Sequence, residues 1–214
     1  MAKCNYCSAP LPANTNVCSY CNARNDVDLK GKLDYAVIRG QSERQCPHCQ
    51  KPLQTVDINL NGSFLIDRCV DCFGLFFDPG QVEALLDSVV ANVFEVNLQH
   101  LDTINKDRFQ GSNAVKYIKC PVCQQFMSRH VFGYRSGVII DQCKGHGIWL
   151  DSGEVTHLLE WKKAGGQLLQ DKRKPTGHGD MVDRLASPVK GYGFSRDEAN
   201  VLNALADLLG KLSR

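Results

Sequence analysis

Cysteine spacing constrains this chain more than any other property. Eleven cysteines and one histidine form six pairs with two residues inside each: Cys4/Cys7, Cys18/Cys21, Cys46/Cys49, Cys69/Cys72, Cys120/Cys123 and Cys143/His146. Consecutive pairs group into three sets of four, and every cysteine is used. A turn of this length points both ligands at one ion while its backbone amides hydrogen-bond to the sulfurs, and two such turns complete a tetrahedron. A single C-x-x-C would equally fit a thiol redox motif, but three complete sets specify metal. Zinc is the expected ion, three per chain, with rubredoxin-like iron the competing metal at the four-cysteine sites.

A disulfide framework is the other use for so many cysteines. It requires an oxidising compartment, whereas the sequence opens Met1-Ala2-Lys3-Cys4 without the apolar segment of a secretory signal, and eleven is an odd count. No stretch approaches the ~20 apolar residues of a membrane span. The most apolar candidate, 82–96, is interrupted by Glu83, Asp87, Asn92 and Glu95. A cytoplasmic protein without a membrane span is therefore expected. Aromatic residues make up only 8% of the 214, so metal coordination has to replace missing core.

The second and third sets are copies of one another. Nineteen residues separate the two knuckles in both, and Asn61-Gly62 and Ser136-Gly137 lie between β-rich runs within that interval. Each reads as a hairpin turn followed by a strand, 64–66 and 138–140. Asp78-Pro79-Gly80-Gln81 and Asp151-Ser152-Gly153-Glu154 then have the form of capping boxes at helix starts. Apolar residues at Val82, Leu85, Leu86, Val89, Val90, Val93 and Phe94 predict a helix after the first copy, and Leu158, Leu159 and Trp161 mark one over 155–164 after the second. These helices are expected to form a core shared between the copies.

The succession C-P-x-C, then C-x-x-C or C-x-x-H, then G-[IL]-[WF]-[LF]-D-x-G-[EQ] resembles the bacterial zinc-ribbon family named after the ribbon of transcription factor IIB. The resemblance covers residues 46–86 and 120–159. It implies a fold and a metal; a transcription-related role would follow from the family name alone. The copies differ at the last ligand, where Cys72-Phe73-Gly74 becomes His146-Gly147. The N-terminal set has ten residues between its knuckles, with a turn at Leu11-Pro12-Ala13-Asn14, and resembles short zinc ribbons at the start of many bacterial proteins.

The fold expected is thus a series of small α+β zinc-ribbon modules: three metal-stabilised β-hairpin ribbons in tandem, two of them followed by a helix, and a C-terminal amphipathic helix. The boundaries are a short ribbon over 1–26, a linker or added strand over 27–45, a ribbon plus helix over 46–110, a second over 111–169, a flexible linker over 170–194 and the amphipathic helix over 195–214. Ser195-Arg196-Asp197-Glu198 caps that last helix, whose stripe runs through Val201, Leu202, Leu205, Leu208, Leu209 and Leu212. Docking onto the body, self-association or a partner protein would cover it.

Three divalent ions and eleven thiolates turn the formal charge of +2 into about −3, which argues against strong nonspecific nucleic-acid binding. Locally, residues 116–170 hold seven basic and four acidic side chains, and Lys116, Lys119, Arg129, Arg135, Lys144, Lys162 and Lys163 form a candidate basic face for nucleic acid. Closed four-ligand sites point to structural zinc and a noncatalytic adaptor presenting ribbons to protein or nucleic-acid partners. The alternatives are a metal-dependent hydrolase at Cys120/Cys123/Cys143/His146 with Glu154 or Asp151 as base, and a thiol redox sensor or zinc store. There is no G-x-x-x-x-G-K-[ST] and no H-E-x-x-H, and no enzyme is expected.

Overall fold

The two repeats share one sheet. In the structure, a computed structural model describing residues 3–11, 16–30, 33–60, 62–90, 93–106 and 116–173, the strands are β1 (Ala36–Arg39), β2 (Gln54–Asp57), β3 (Leu65–Arg68), β4 (Leu75–Phe77), β5 (Ser128–Val131), β6 (Ile139–Cys143) and β7 (Gly147–Leu150). They run in the order β1-β2-β3-β4-β7-β6-β5, antiparallel throughout. Each ribbon supplies three strands, and the ribbons join where β4 meets β7, Leu75 opposite Leu150, Phe76 opposite Trp149 and Phe77 opposite Ile148. Gly74-Leu75-Phe76-Phe77-Asp78 and Gly147-Ile148-Trp149-Leu150-Asp151 are equivalent segments. That register therefore describes a pseudo-two-fold axis through the Phe76–Trp149 pair.

Two glycines make the junction possible. A Cβ on Gly74 would lie 2.2 Å from the Trp149 indole, and one on Gly147, at φ 127°, would lie 2.0 Å from the Phe77 carbonyl oxygen. Each ribbon thus removes a side chain where the other's strand closes on it.

The sheet buries a core on both faces. On one, α1 (Gln81–Val89) and α3 (Glu154–Lys163) lay Val82, Leu85, Leu86, Val155, Leu158 and Leu159 over Val56, Ile66, Ile140 and Leu150. This is the shared helical core that the apolar spacing predicts. On the other, Phe76 and Trp149 pack with Leu53, Ile118 and Met127 against the cysteines of the two large ribbons. Burying two such aromatics contributes about 4 kcal/mol each as an upper bound.

Several elements depart from the sequence reading. The helix after the first ribbon stops at Val89, because Val90 turns extended at φ −108° after its amide makes the last helical bond, to the Leu86 carbonyl. Paired β-branched residues favour that exit. Phe94, expected on the helical stripe, is 87% exposed. A further helix, α2 (Leu98–Lys106), follows, with the Asn97 carboxamide oxygen accepting the His100 amide at 2.8 Å as its N-cap. It docks through Leu101 against Trp161 and Ala164. Gly165, at φ 84°, ends α3 and leads into α4 (Gly166–Asp171), so positions 170 and 171 are helical rather than tether. Residues 12–14 of the N-terminal turn, the tether from 174 and the helix over 195–214 lie outside the described residues.

Residues 25–29 tie the N-terminal ribbon to the body. Asp26 forms a buried ion pair with Arg68 at 2.7 Å, and the Arg68 guanidinium also lies over the Tyr35 and Phe73 rings. Asp28 accepts the amides of Gly153 at 2.6 Å and Thr156 at 2.9 Å, capping the free N–H groups at the start of α3 from 125 residues away. Leu29 is fully buried in the sheet–helix core. β1, which follows, adds a strand to the β2 edge.

Candidate metal centres

Six turns of the same build carry the ligands. In five of them the residue after the second cysteine, Ser8, Asn22, Gln50, Phe73 or Gln124, sits in the left-handed region at φ 56° to 61°. Its amide bonds back to the carbonyl of the first cysteine, at 2.8 to 3.1 Å. Amides inside the turn reach the first sulfur, Tyr6 to Cys4 at 3.4 Å, Cys49 to Cys46 at 3.3 Å and Val122 to Cys120 at 3.4 Å. Such bonds stabilise thiolate over thiol. The sixth turn is shorter: His146 donates its amide to the Cys143 carbonyl at 3.3 Å, and Gly147 combines the place after the ligand with the place of Gly74. Imidazole reaches further than a thiol, which compensates for the missing residue.

The structure brings all twelve expected ligands together in three groups: Cys4, Cys7, Cys18 and Cys21; Cys46, Cys49, Cys69 and Cys72; and Cys120, Cys123, Cys143 and His146. Within each group the donor atoms lie within 4.8 Å of one another. Cys4 and Cys21 sulfurs are 3.6 Å apart, Cys7 and Cys18 3.5 Å, Cys46 and Cys72 3.6 Å, and Cys123 and Cys143 3.7 Å. The edge of a tetrahedron around zinc with Zn–S bonds of about 2.3 Å is about 3.8 Å. His146 presents Nδ1, 3.3 Å from the Cys143 sulfur. These donor sets fit zinc, three ions per chain.

The protonation of the thiols leads to the same conclusion. In the second group, thiol donation from Cys46 and Cys72 pulls Cys69 far below the ordinary cysteine value. The ionised Cys69 in turn pushes Cys46 up to about 12, and Cys46 and Cys69 raise Cys72 as well. Four sulfurs this close cannot all carry charge without a central cation, and a divalent ion removes the conflict.

The N-terminal ribbon is organised by buried Asn25. Its side-chain oxygen accepts the Asn5 amide at 2.8 Å, while its NH2 donates to the Asn16 and Ala23 carbonyls and to the Cys4 sulfur at 3.7 Å. The ribbon displays Tyr6 and Tyr20, 74% and 77% exposed, at equivalent positions of its two knuckles. The Asn16 side chain donates to the Cys72 carbonyl at 3.0 Å, joining this ribbon to a knuckle of the next.

The two aspartates read as caps serve otherwise. Gln81 and Glu154 reach back to the amides of Asp78 and Asp151, at 2.8 and 2.9 Å, as half of a capping box does. The N-caps themselves are Gly80 and Gly153 in the left-handed region, with no side-chain bond. Asp78 instead pairs with Arg44 at 2.9 Å, and Arg44 also bonds Asp67 at 3.1 Å and lies over the Phe76 ring. Asp151 accepts from the Trp149 indole at 2.9 Å and contacts His48 Nε2 at 3.0 Å. Ile118 stands where Arg44 would be in the second copy, so Asp141, the counterpart of Asp67, lacks that arginine; it faces Arg129 at 3.8 Å, and burial pushes its carboxyl up to about 6.

The candidate basic face is largely neutralised. Arg129 faces Asp141, Arg135 pairs with Asp102, Lys162 with Asp87 and Lys163 with Glu160. Lys119 lies over the Phe126 ring. Lys116 and Lys144 are exposed.

Residues 45–88 and 119–161 match the family model of a transcription factor zinc-finger, the zinc ribbon of transcription factor IIB. The two matched segments are the two large ribbons; the N-terminal ribbon lies outside them. No curated protein and no solved structure gives a significant match. Among the described residues, no helix is long and apolar enough to cross a membrane.

Proposed function

We propose that this protein is a noncatalytic, zinc-stabilised binding scaffold whose partners are proteins. Closure of the metal sites carries the reading: each ion has four protein ligands, and a site that does chemistry keeps a position open for water or substrate. The engagement of Asp151 Oδ1 by both Trp149 and His48 supports it further, since it gives this carboxylate a structural role between the two ribbons. Protein partners are favoured over nucleic acid because four of the seven cations of the basic face already oppose carboxylates, while Tyr6 and Tyr20 offer exposed, rigid aromatic contacts.

Cobalt substitution tests this reading. The loaded protein should give the intense visible bands of four-coordinate thiolate sites, unchanged by azide, phosphate or acetate. A spectrum that shifts with those anions would reveal an open coordination position and sink the scaffold reading. Anisotropy with labelled single- and double-stranded DNA and RNA across a salt series tests the partner class. Submicromolar affinity with a steep salt slope would transfer the function to nucleic acid.

A further inference from the structure

The sheet has two outer edges, and the pseudo-two-fold axis makes them equivalent. Since Cys46 corresponds to Cys120, the residues Thr55, Val56 and Asp57 of β2 correspond to Arg129, His130 and Val131 of β5. The β2 edge is covered: β1 pairs along it, with Ala36 opposite Asp57, Val37 opposite Val56 and Arg39 opposite Thr55. Among the described residues, nothing pairs with the outer side of β5. Equivalent positions register the difference. Val56 is 0% exposed, whereas His130 is exposed, and beside it stand Val131 at 54%, Ile139 at 42% and Phe126 at 69%.

We propose that the outer edge of β5 takes an extended acidic segment of a partner protein as an added strand, in the position that β1 fills on the opposite edge. The chain itself demonstrates the geometry, because β1 docks on the equivalent backbone by antiparallel pairing. Main-chain hydrogen bonds supply affinity in such strand addition, and side chains at alternate positions supply selectivity. The paired Val131 and Ile139 offer an apolar contact on one face. Arg129, whose side chain stays 28% exposed beside Asp141 at 3.8 Å, and Lys119 over the nearby Phe126 ring select carboxylates, with the exposed His130 as a further hydrogen-bond donor on the strand. Antiparallel β5–β5 pairing centred on Arg129 would set two guanidinium groups against each other, which argues against a second copy of this chain as occupant.

This inference rests on the scaffold reading, and the test separates the two. The probe is a synthetic peptide with the sequence of residues 33–40 carrying Arg39→Glu, added to full-length, zinc-loaded, nitrogen-15-labelled protein, beside the same peptide with arginine retained. The acidic peptide should shift the resonances of Arg129, His130 and Val131 saturably at up to ~1 mM and slow exchange of the outward-facing Arg129 and Val131 amides, leaving β2 unchanged; the His130 amide already faces β6. It should bind about threefold or more tightly than the arginine form, and His130→Glu, at an exposed position, should remove that preference. No response at β5, or a response elsewhere, overturns the proposal, as does protection of the outward-facing Arg129 and Val131 amides before peptide is added, which would assign the edge to the chain's own residues. Protection that grows with protein concentration assigns it to a second copy and overturns it equally. None of these results touches the closed metal sites, whose reading stands or falls on the cobalt spectra.

Discussion

Gly74 lies directly beneath the indole of Trp149, so close that a single methyl group would overlap the ring at 2.2 Å. The contact crosses from one repeat to the other, at the junction of β4 and β7. Gly74→Ala should therefore open the sheet at its centre, lowering stability by about 1 to 3 kcal/mol as core overpacking does. Trp149→Phe shortens the ring system and should recover part of that loss in the double variant, although alone it destabilises. Urea unfolding of the four proteins of this cycle gives the coupling, and additive losses would show that the two residues do not meet.

His146 closes the third site through Nδ1. His146→Ala should leave that site with three sulfur donors and lower the zinc content by about one ion per chain, with the first two sites still loaded. His146→Cys should retain metal but bind it more weakly, since a thiol reaches less far across the shortened turn. Elemental analysis after dialysis against a weak chelator reads both outcomes. Full zinc retention in His146→Ala would show that the histidine is not a ligand.

Asp26 and Asp28 hold the N-terminal segment by different means. Removing one partner of the buried Asp26–Arg68 pair should cost about 3 kcal/mol in Asp26→Ala, while Asp26→Leu with Arg68→Met should recover most of it. Asp28→Ala leaves the Gly153 and Thr156 amides without their acceptor and should cost about 1 to 2 kcal/mol. Asp28→Asn, which keeps one acceptor, should cost less. Denaturant midpoints at saturating zinc check all four variants.

Asp141 is a buried acid with little compensation. Its folded pKa of about 6 exceeds the ordinary 3.8, because burial outweighs the attraction of Arg129. For an acid raised on folding, the native state binds the extra proton, so stability falls as pH rises from about 4 to about 6 and stays reduced above it. Asp141→Asn should accordingly raise the urea midpoint at pH 7.5, and the gain should shrink at pH 6. A loss of stability at pH 7.5 would mean that Arg129 does more than offset burial.

What could be read from the sequence followed the range of each interaction. The knuckles were legible because both ligands and the left-handed residue behind them lie within five positions, as in Cys46 to Gln50. The hairpins and α3 were legible for the same reason. The junction of the ribbons was not, since Leu75 to Phe77 is too short a run to show a period and its partner lies more than seventy residues away. α2 carries a usable signal in Asn97 followed by His100, but its weakly apolar sequence gave no stripe. Asp78 and Asp151 have the right spacing for caps, yet Arg44, His48 and Trp149 compete for them from other elements. Nothing local marks Asp28 as the cap of a helix that begins at Glu154.

That the two repeats complete one sheet also sets an order on synthesis. When the first large ribbon leaves the ribosome it can take up its metal at once, but Leu75, Phe76 and Phe77 then form an apolar strand paired only with β3, its other edge open. The strand that shields it, Gly147–Leu150, is made some seventy residues later. During that interval the nascent chain exposes the kind of edge that recruits other chains. A chain halted between the repeats should be a sticky, short-lived species that holds its zinc and still fails to stay in solution.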